Sequence, residues 1–504
     1  MLDASSHTAC NRTSSDTPNS APTTALAALE ARFQQDLAWL ELPAKPWVPP
    51  KIVNGRAVLD VAVIGGGQAG MAAAASLLHL GIDAVIYDQS PAGFEGPWAT
   101  TARMETLRSP KKLTGPALGF AALTFRAWFE AQFGLQAWEA LDKIPRLQWM
   151  DYLRWYRKVL ALDIRNDHRI DAILPRADGV VELHIGAPAG RSVVLARRVV
   201  LATGRDGLGG AYLPPLAQNL PQAWWAHSCD DMDYGKLAGK RVGVIGAGAS
   251  AMDSAATALE AGAERVDLLI RRAQFPRINK GKGAGNPGLT NGHVDLPDEW
   301  KWRIRHYINV QQTPPPSGSV QRVAKFANAR FLFGAAIDKV DVVDDSLRVT
   351  TPRGLFEFDF LIFSTGFRID WSARPEFAAI APHIRNWRAR YMPPIGDEDM
   401  ELSDSPDLGA AFEFQQKHPG GLPGLERVHC FCYPAALAHG TVSGDIPALS
   451  DGARRLAQGI ASLLYCEDVG MHYKNIQAYA EPELAGDEWT PSEPTERERQ
   501  GASR

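Results

Sequence analysis

Residues 59–88 read LDVAVIGGGQAGMAAAASLLHLGIDAVIYD, and the fold follows from them. An apolar run from Val61 to Ile64 meets three glycines, then an Ala-rich segment to about Leu80, then a second apolar run that ends at Asp88. This order predicts strand, tight turn, helix and strand, a complete βαβ unit. Gly65, Gly67 and Gly70 stand where such a unit needs small residues. The first permits the turn, the second lets the backbone approach a pyrophosphate, and the third lets helix and strand pack closely. Gln68 and Ala69 open the helix, whose N-terminus offers free N–H groups and partial positive charge. Asp88 closes the second strand, 23 positions after Gly65. A carboxylate there accepts both hydrogens of a ribose diol and repels a 2′-phosphate, so FAD or NAD suits this turn better than NADP.

The arrangement recurs in residues 239–253, GKRVGVIGAGASAMD. The strand begins at Arg241, the glycine turn is Gly246, Gly248 and Ala251, and the helix runs through Leu259. Ser250 can donate its hydroxyl to a pyrophosphate. The next strand, VDLLI, ends on Arg271 and Arg272 instead of an acid. Paired guanidinium forks suit a phosphate dianion, so this copy should prefer NADPH to NADH. The alternative for the pair is a solvated strand end; its register with the glycine turn argues against that. The copies lie about 180 residues apart, one domain length, which makes them two cofactor sites and not a short-period solenoid.

Composition excludes several other classes. With 53 basic and 57 acidic residues the chain carries a net charge of −4, no field for nucleic acid or an anionic membrane. Cys10, Cys229, Cys430, Cys432 and Cys466 are scattered and odd in number, unlike a secreted disulfide framework, and a reducing cytoplasm fits. No stretch reaches the roughly 18 apolar residues of a membrane span. A soluble, cytoplasmic enzyme of small molecules is the expectation.

The motifs GGGQAG, GPWATT from Gly96, LATG from Leu201, GKRVGVIGAGASAMD from Gly239 and DFLIFSTGF from Asp359 resemble those of the class B flavoprotein monooxygenases, over about Leu59 to Leu464. That group includes flavin-containing, Baeyer–Villiger and N-hydroxylating enzymes. The resemblance implies an α/β fold with two Rossmann-like dinucleotide-binding domains, the NADPH domain inserted in a discontinuous FAD domain. It implies that Trp98 lies near the flavin, and that Ala202-Thr203-Gly204 and Ser364-Thr365-Gly366 are the points where the chain passes between the domains. It places the N-terminus of a late helix, with Gly444 and Asp445, against the flavin. One signature departs: of the family's FxGxxxH segment only His227 and Ser228 remain, with Pro221 and Ala223 at the Phe and Gly positions. Arg108, in Arg108-Ser109-Pro110-Lys111, stands where flavin-containing monooxygenases carry asparagine. It has two readings, a stabiliser of a peroxyflavin anion or a salt-bridged surface arginine.

These readings divide the chain into a disordered leader, 1–23; a helix and Pro-rich arm, 24–56; a FAD-binding domain in two parts, 57–215 and 355–480; an NADPH-binding domain, 216–354; and a polar tail, 481–504. Helices crowded with Trp128, Trp138, Trp149 and Trp155 and a β-meander over 168–201 complete the first part. His439 is a second catalytic candidate, able to touch the flavin edge or substrate, although a lone histidine also suits a structural role. Cys430 and Cys432 form C-x-C beside His429, which supplies neither the C-x-x-C of a dithiol relay nor a zinc set, so no metal is expected. The resemblance implies that NADPH reduces FAD and that a C4a-(hydro)peroxyflavin passes one atom of O2 to a small organic substrate, an amine, sulfide or ketone. An NADPH-flavin reductase or oxidase that oxygenates nothing, and a regulatory nucleotide-binding flavoprotein, are the alternatives.

Overall fold

The computed structural model describes residues 24–217 and 219–501, so the leader expected over 1–23 lies outside the described residues. Residues 24–461 form one compact unit and residues 462–501 belong to a second.

The 59–88 stretch forms the strand Arg56–Ile64, the helix Gln68–His79 and the strand Ala84–Tyr87. Val61, Ala62 and Val63 are fully buried, and Ala72 to Ala75 on the helix are no more than 1% exposed. Alanines on this face leave no bulk to hold the helix off the sheet. The strands pair in parallel with Ile64 level with Tyr87 on one side and Leu201 on the other. Among the described residues the first sheet has eight strands. The Arg169–Pro175, Val181–Ala187 and Gly190–Leu201 meander adds antiparallel strands, and Val428–Cys430 returns in parallel beside Gly190–Leu201.

The second glycine turn lies between the strand Arg241–Ile245 and the helix Ala249–Glu260. Its sheet has five parallel strands in the order Ala329–Phe333, Arg265–Ile270, Arg241–Ile245, Phe360–Phe363 and Trp225–His227. Register is pinned by charge as well as by apolar burial. Asp267 is fully buried and directly opposite Arg330, whose guanidinium it accepts in two hydrogen bonds. The strand Phe360–Phe363 pairs with Arg241–Ile245 in this second sheet, although the sequence reading assigned 355–480 to the first fold. FLIF is buried on both faces, which is what the centre of a parallel sheet requires.

An aromatic layer is built on two helices of the first part. The helices Phe125–Ala140 and Arg146–Val159 bring Phe125 within 5.7 Å of the Trp149 ring centre and Trp149 within 5.0 Å of Tyr152. Tyr152 and Tyr156 are buried and donate their hydroxyls to the carbonyls of Leu123 and Pro116 at 2.7 and 2.8 Å. All four tryptophans singled out in this region are buried packing residues. The last long helix is Leu449–Glu467; in the smaller unit Val469–Ala478 and Glu496–Gly501 are also helical. No helix among the described residues is long and apolar enough to cross a membrane.

The glycines of the two turns differ by position in how closely they are packed. A Cβ on Gly70 would lie 1.8 Å from the Gly65 carbonyl oxygen, whereas one on Gly248 would meet nothing within 4 Å. Gly70→Ala should therefore cost about 1–3 kcal/mol or more, and Gly248→Ala no more than about 1 kcal/mol. Urea unfolding of the two variants checks the contrast.

Candidate functional site

Each glycine turn is pressed against a small-residue segment and opens on its other side. A Cβ on Gly65, where φ is +105°, would lie 2.5 Å from the Ala202 carbonyl oxygen. One on Gly246, where φ is +140°, would lie 2.5 Å from the Ser364 carbonyl oxygen. Around Gly67 the nearest heavy atom to an added Cβ is the Gly96 Cα at 4.0 Å. Neither Gly67 nor Gly248 caps its helix with a side chain, so the first N–H groups of both helices face these open sides. Bare N–H groups over a glycine hollow fit an anionic pyrophosphate.

At the first turn Asp88 is 8% exposed and accepts the Gly66 N–H at 2.6 Å and the Ser90 N–H at 2.7 Å, one on each oxygen. Each oxygen keeps a lone pair. The carboxylate is thus held rigidly at the strand end with acceptor capacity left for hydroxyl groups. Gln68 accepts from the Trp149 indole at 3.1 Å, which ties the helix start to the aromatic layer. Ala69 follows it in the first helical turn. Trp98 is half-buried next to the Gly67–Gly96 contact, and its carbonyl accepts from Arg146 at 2.5 Å.

At the second turn Ala251 is fully buried and Ser250 is exposed beside the open side. Past the strand end Arg271 is exposed, and Arg272 donates to the Val310 carbonyl at 3.3 Å. The segments that follow the two triplets are joined to each other. Gly209–Ala211 pairs with Phe367–Ile369, and Tyr212 donates to the Gly366 carbonyl at 2.8 Å while its own carbonyl accepts from Thr365 Oγ1. Thr203 Oγ1 donates to the Gly207 carbonyl at 3.1 Å.

Arg108 reaches from the first fold to the carbonyl of Pro314, with the charges of Asp445 and Asp253 nearest to it. Asp445 precedes the Ile446–Ala448 turn that starts the last long helix. Burial pushes its carboxyl up, against the pull of Arg305 first and of Arg108 and Arg205 after it. His439 is 1% exposed, lies 3.7 Å ring to ring on Phe412, and holds the Gly409 carbonyl through Nε2 at 2.9 Å. Burial lowers it to about 3, so the ring is neutral and Nε2 carries the proton. His227 is buried with Nδ1 2.9 Å from Cys229 Sγ. Cys430 and Cys432 are buried with their sulfurs 3.5 Å apart, and burial raises the Cys430 thiol.

Beyond these residues, a narrow cleft opens at the carboxyl ends of the sheets. Arg205, Arg305, Phe367, Arg368, Glu401 and Tyr433 are among its walls. Sequence reading passed over them. Arg205 and Arg368 follow the two small triplets by one and two positions, a signal that was available, whereas Arg305 and Glu401 reach the cleft through tertiary packing alone. The Arg205 guanidinium lies 3.6 Å over the Tyr433 ring.

The pyridine nucleotide-disulphide oxidoreductase family profile matches residues 59–282. The chain is 38% identical over 466 residues to the FAD-dependent urate hydroxylase of Xanthomonas campestris pv. campestris, covering 92% of this chain and 98% of the relative. Its fold is similar to that of the cadaverine monooxygenase of Erwinia amylovora, solved with FAD, at a TM-score of 0.63 and 14% identity, over 87% of this chain and 100% of that one. It is similar also to the ornithine N-hydroxylase of Kutzneria sp. 744, solved with reduced FAD, NADP+ and L-ornithine. There the TM-score is 0.62 at 17% identity, over 80% of this chain and 99% of that one.

The neutral histidines carry a pH signature. His439 and His429 are both held near 3 by burial, below the ordinary 6.5. The unfolded chain takes up protons that the native chain refuses, so this stability is complete above pH 6.5 and is lost as pH falls toward 3. Each should add a slope of about 1.4 kcal/mol per pH unit in that window. Urea unfolding at stepped pH should show the slope, and His439→Gln should remove about one histidine's share.

Proposed function

We propose a reaction from the premise that the chain belongs to the class B flavoprotein monooxygenases, the two-dinucleotide-fold group of its urate-hydroxylating relative. FAD is the resident cofactor, NADPH the reductant, and one atom of O2 goes to a small substrate, of which urate is the first candidate. One observation carries this reading. Two glycine hollows with uncapped helices open beside a shared junction, one with a buried acid at its strand end and the other with two arginines.

Gly65, Gly67, Gln68, Ala69 and Gly70 would hold the pyrophosphate of FAD, and Asp88 its ribose hydroxyls. Gly246, Gly248, Ser250 and Ala251 would hold the pyrophosphate of NADPH, with Arg271 and Arg272 on its 2′-phosphate. When bound, FAD supplies the two-electron and oxygen chemistry that no side chain here supplies. The chain's own work is to bind, align and keep dry. The Thr203-Gly204 and Thr365-Gly366 segments would wall the junction, with Trp98 near the flavin, and both threonine hydroxyls are already held by carbonyls and so fixed in place. The helix that starts after Asp445 would present its positive end to the flavin, which favours negative charge there. Arg108 adds a fixed positive charge on the same side. His439, neutral and committed to Gly409, serves as a buried prop in this reading.

Anaerobic addition of NADPH should bleach the yellow protein, and O2 with urate should then be consumed with little release of hydrogen peroxide. Rapid peroxide release with urate unchanged would replace the monooxygenase by an oxidase. Coenzyme choice gives a second test. Loss of two charge-assisted phosphate contacts, each on the order of 1.5–3 kcal/mol, should shift preference by roughly two orders of magnitude. Arg271→Ala with Arg272→Ala should raise half-saturating NADPH steeply, leave NADH nearly unchanged and spare flavin content. Equal use of NADPH by parent and variant would reduce the pair to a solvated strand end.

A further inference from the structure

Arg305, on the helix Asp298–Gln311, is 8% exposed and lines the cleft. Its Nε is buried without a hydrogen-bond partner, and no ion pair or hydrogen bond is formed by its guanidinium among the described residues. A buried guanidinium N–H left in that condition is costly, and native structures satisfy such a group with a ligand, an anion or water. The neighbouring cations do not share the condition. Lys301 donates to the Val294 carbonyl at 2.7 Å, and Arg455 donates to the Thr290 and His439 carbonyls at 2.7 and 3.1 Å.

The charges nearest Arg305 do not occupy its donors either. Asp445 and Glu401 feel its field, yet neither bonds it, and burial holds both carboxyls above their ordinary range. Arg368, across the cleft, is already paired with Asp370 at 2.7 Å. Arg205 lies flat on Tyr433. The fork of Arg305 is thus left facing a cleft whose other walls include Phe367, Tyr433, Pro434 and Leu437. Aromatic and aliphatic walls with a buried guanidinium whose donors are left open match a flat molecule that carries a negative edge.

We propose that Arg305 is the anion-recognition residue of the substrate site, and that the substrate is a small planar anion whose charged edge pairs with this guanidinium in the cleft that Tyr433 and Phe367 help to line. This rests on the monooxygenase reading for the word substrate, and it goes further by fixing the charge and shape of what is bound. The other source of an anion is the phosphate of a dinucleotide. Arg272 bonds Val310 on the same helix, five residues and about 7.5 Å from Arg305, so a phosphate held there is a separate site.

The test is calorimetric titration of FAD-loaded parent, Arg305→Met and Arg305→Lys with urate, a monoanion at neutral pH, and with hypoxanthine, a neutral purine. The parent should bind urate more tightly than hypoxanthine. Arg305→Met should weaken urate roughly 10- to 100-fold and move hypoxanthine less than two-fold, with partial recovery in Arg305→Lys. Half-saturating NADPH, read by anaerobic flavin bleaching, should stay within two-fold. Unchanged urate affinity in Arg305→Met, equal binding of the two purines by the parent, or a rise in half-saturating NADPH in place of the loss of urate would each overturn the proposal. A parent that binds urate as expected but is not bleached by NADPH would remove the monooxygenase reading and leave the anion site standing.

Discussion

Two backbone contacts organise the molecule: the Gly65 turn against the Ala202 carbonyl and the Gly246 turn against the Ser364 carbonyl, each so close that an added Cβ would stand 2.5 Å from an oxygen. Neither turn can close without glycine, and neither small triplet can sit at its strand end without the turn. The same closeness that forbids a side chain on the inner face leaves the outer face bare, with unpaired N–H groups at the start of each helix. The hollows are therefore a consequence of packing. Because Gly209–Ala211 and Phe367–Ile369 leave the two triplets and pair with one another, the hollows are tied to a common junction.

How much of this was legible in the sequence depends on the range of the interaction. Gly65 to Gly70, Asp88, Gly246 to Ala251 and the strand-end arginines are local patterns, governed by backbone sterics over a few residues, and they could be read directly. The strand FLIF was legible as a strand, but its sheet was not. Its parallel pairing with Val242–Ile245 joins residues more than 100 positions apart, and no local periodicity encodes that choice. His439 was ambiguous for a related reason. A lone histidine carries no mark of whether its proton is free, and only the contacts with Gly409 and Phe412 show that it is already placed.

Arg305 illustrates the limit best. On its helix it is one cation among Lys301, Arg303 and Arg305, and spacing alone does not separate them. Tertiary packing does, by giving Lys301 a carbonyl and Arg305 none. The cleft it faces is bordered by segments that directly follow both triplets, so the residues that would receive a substrate are positioned by the same turns that would receive the cofactors. Binding, alignment and exclusion of water then share one set of backbone constraints.

The central claim is that this junction joins a reductant, dioxygen and a small substrate in one reaction. Turnover with NADPH and urate under isotopically labelled dioxygen, followed by mass spectrometry of the product, addresses it most directly. The account predicts that the product gains a single labelled oxygen atom. Product labelled only when the heavy isotope is supplied in water, or urate returned unaltered while NADPH is consumed, would contradict it.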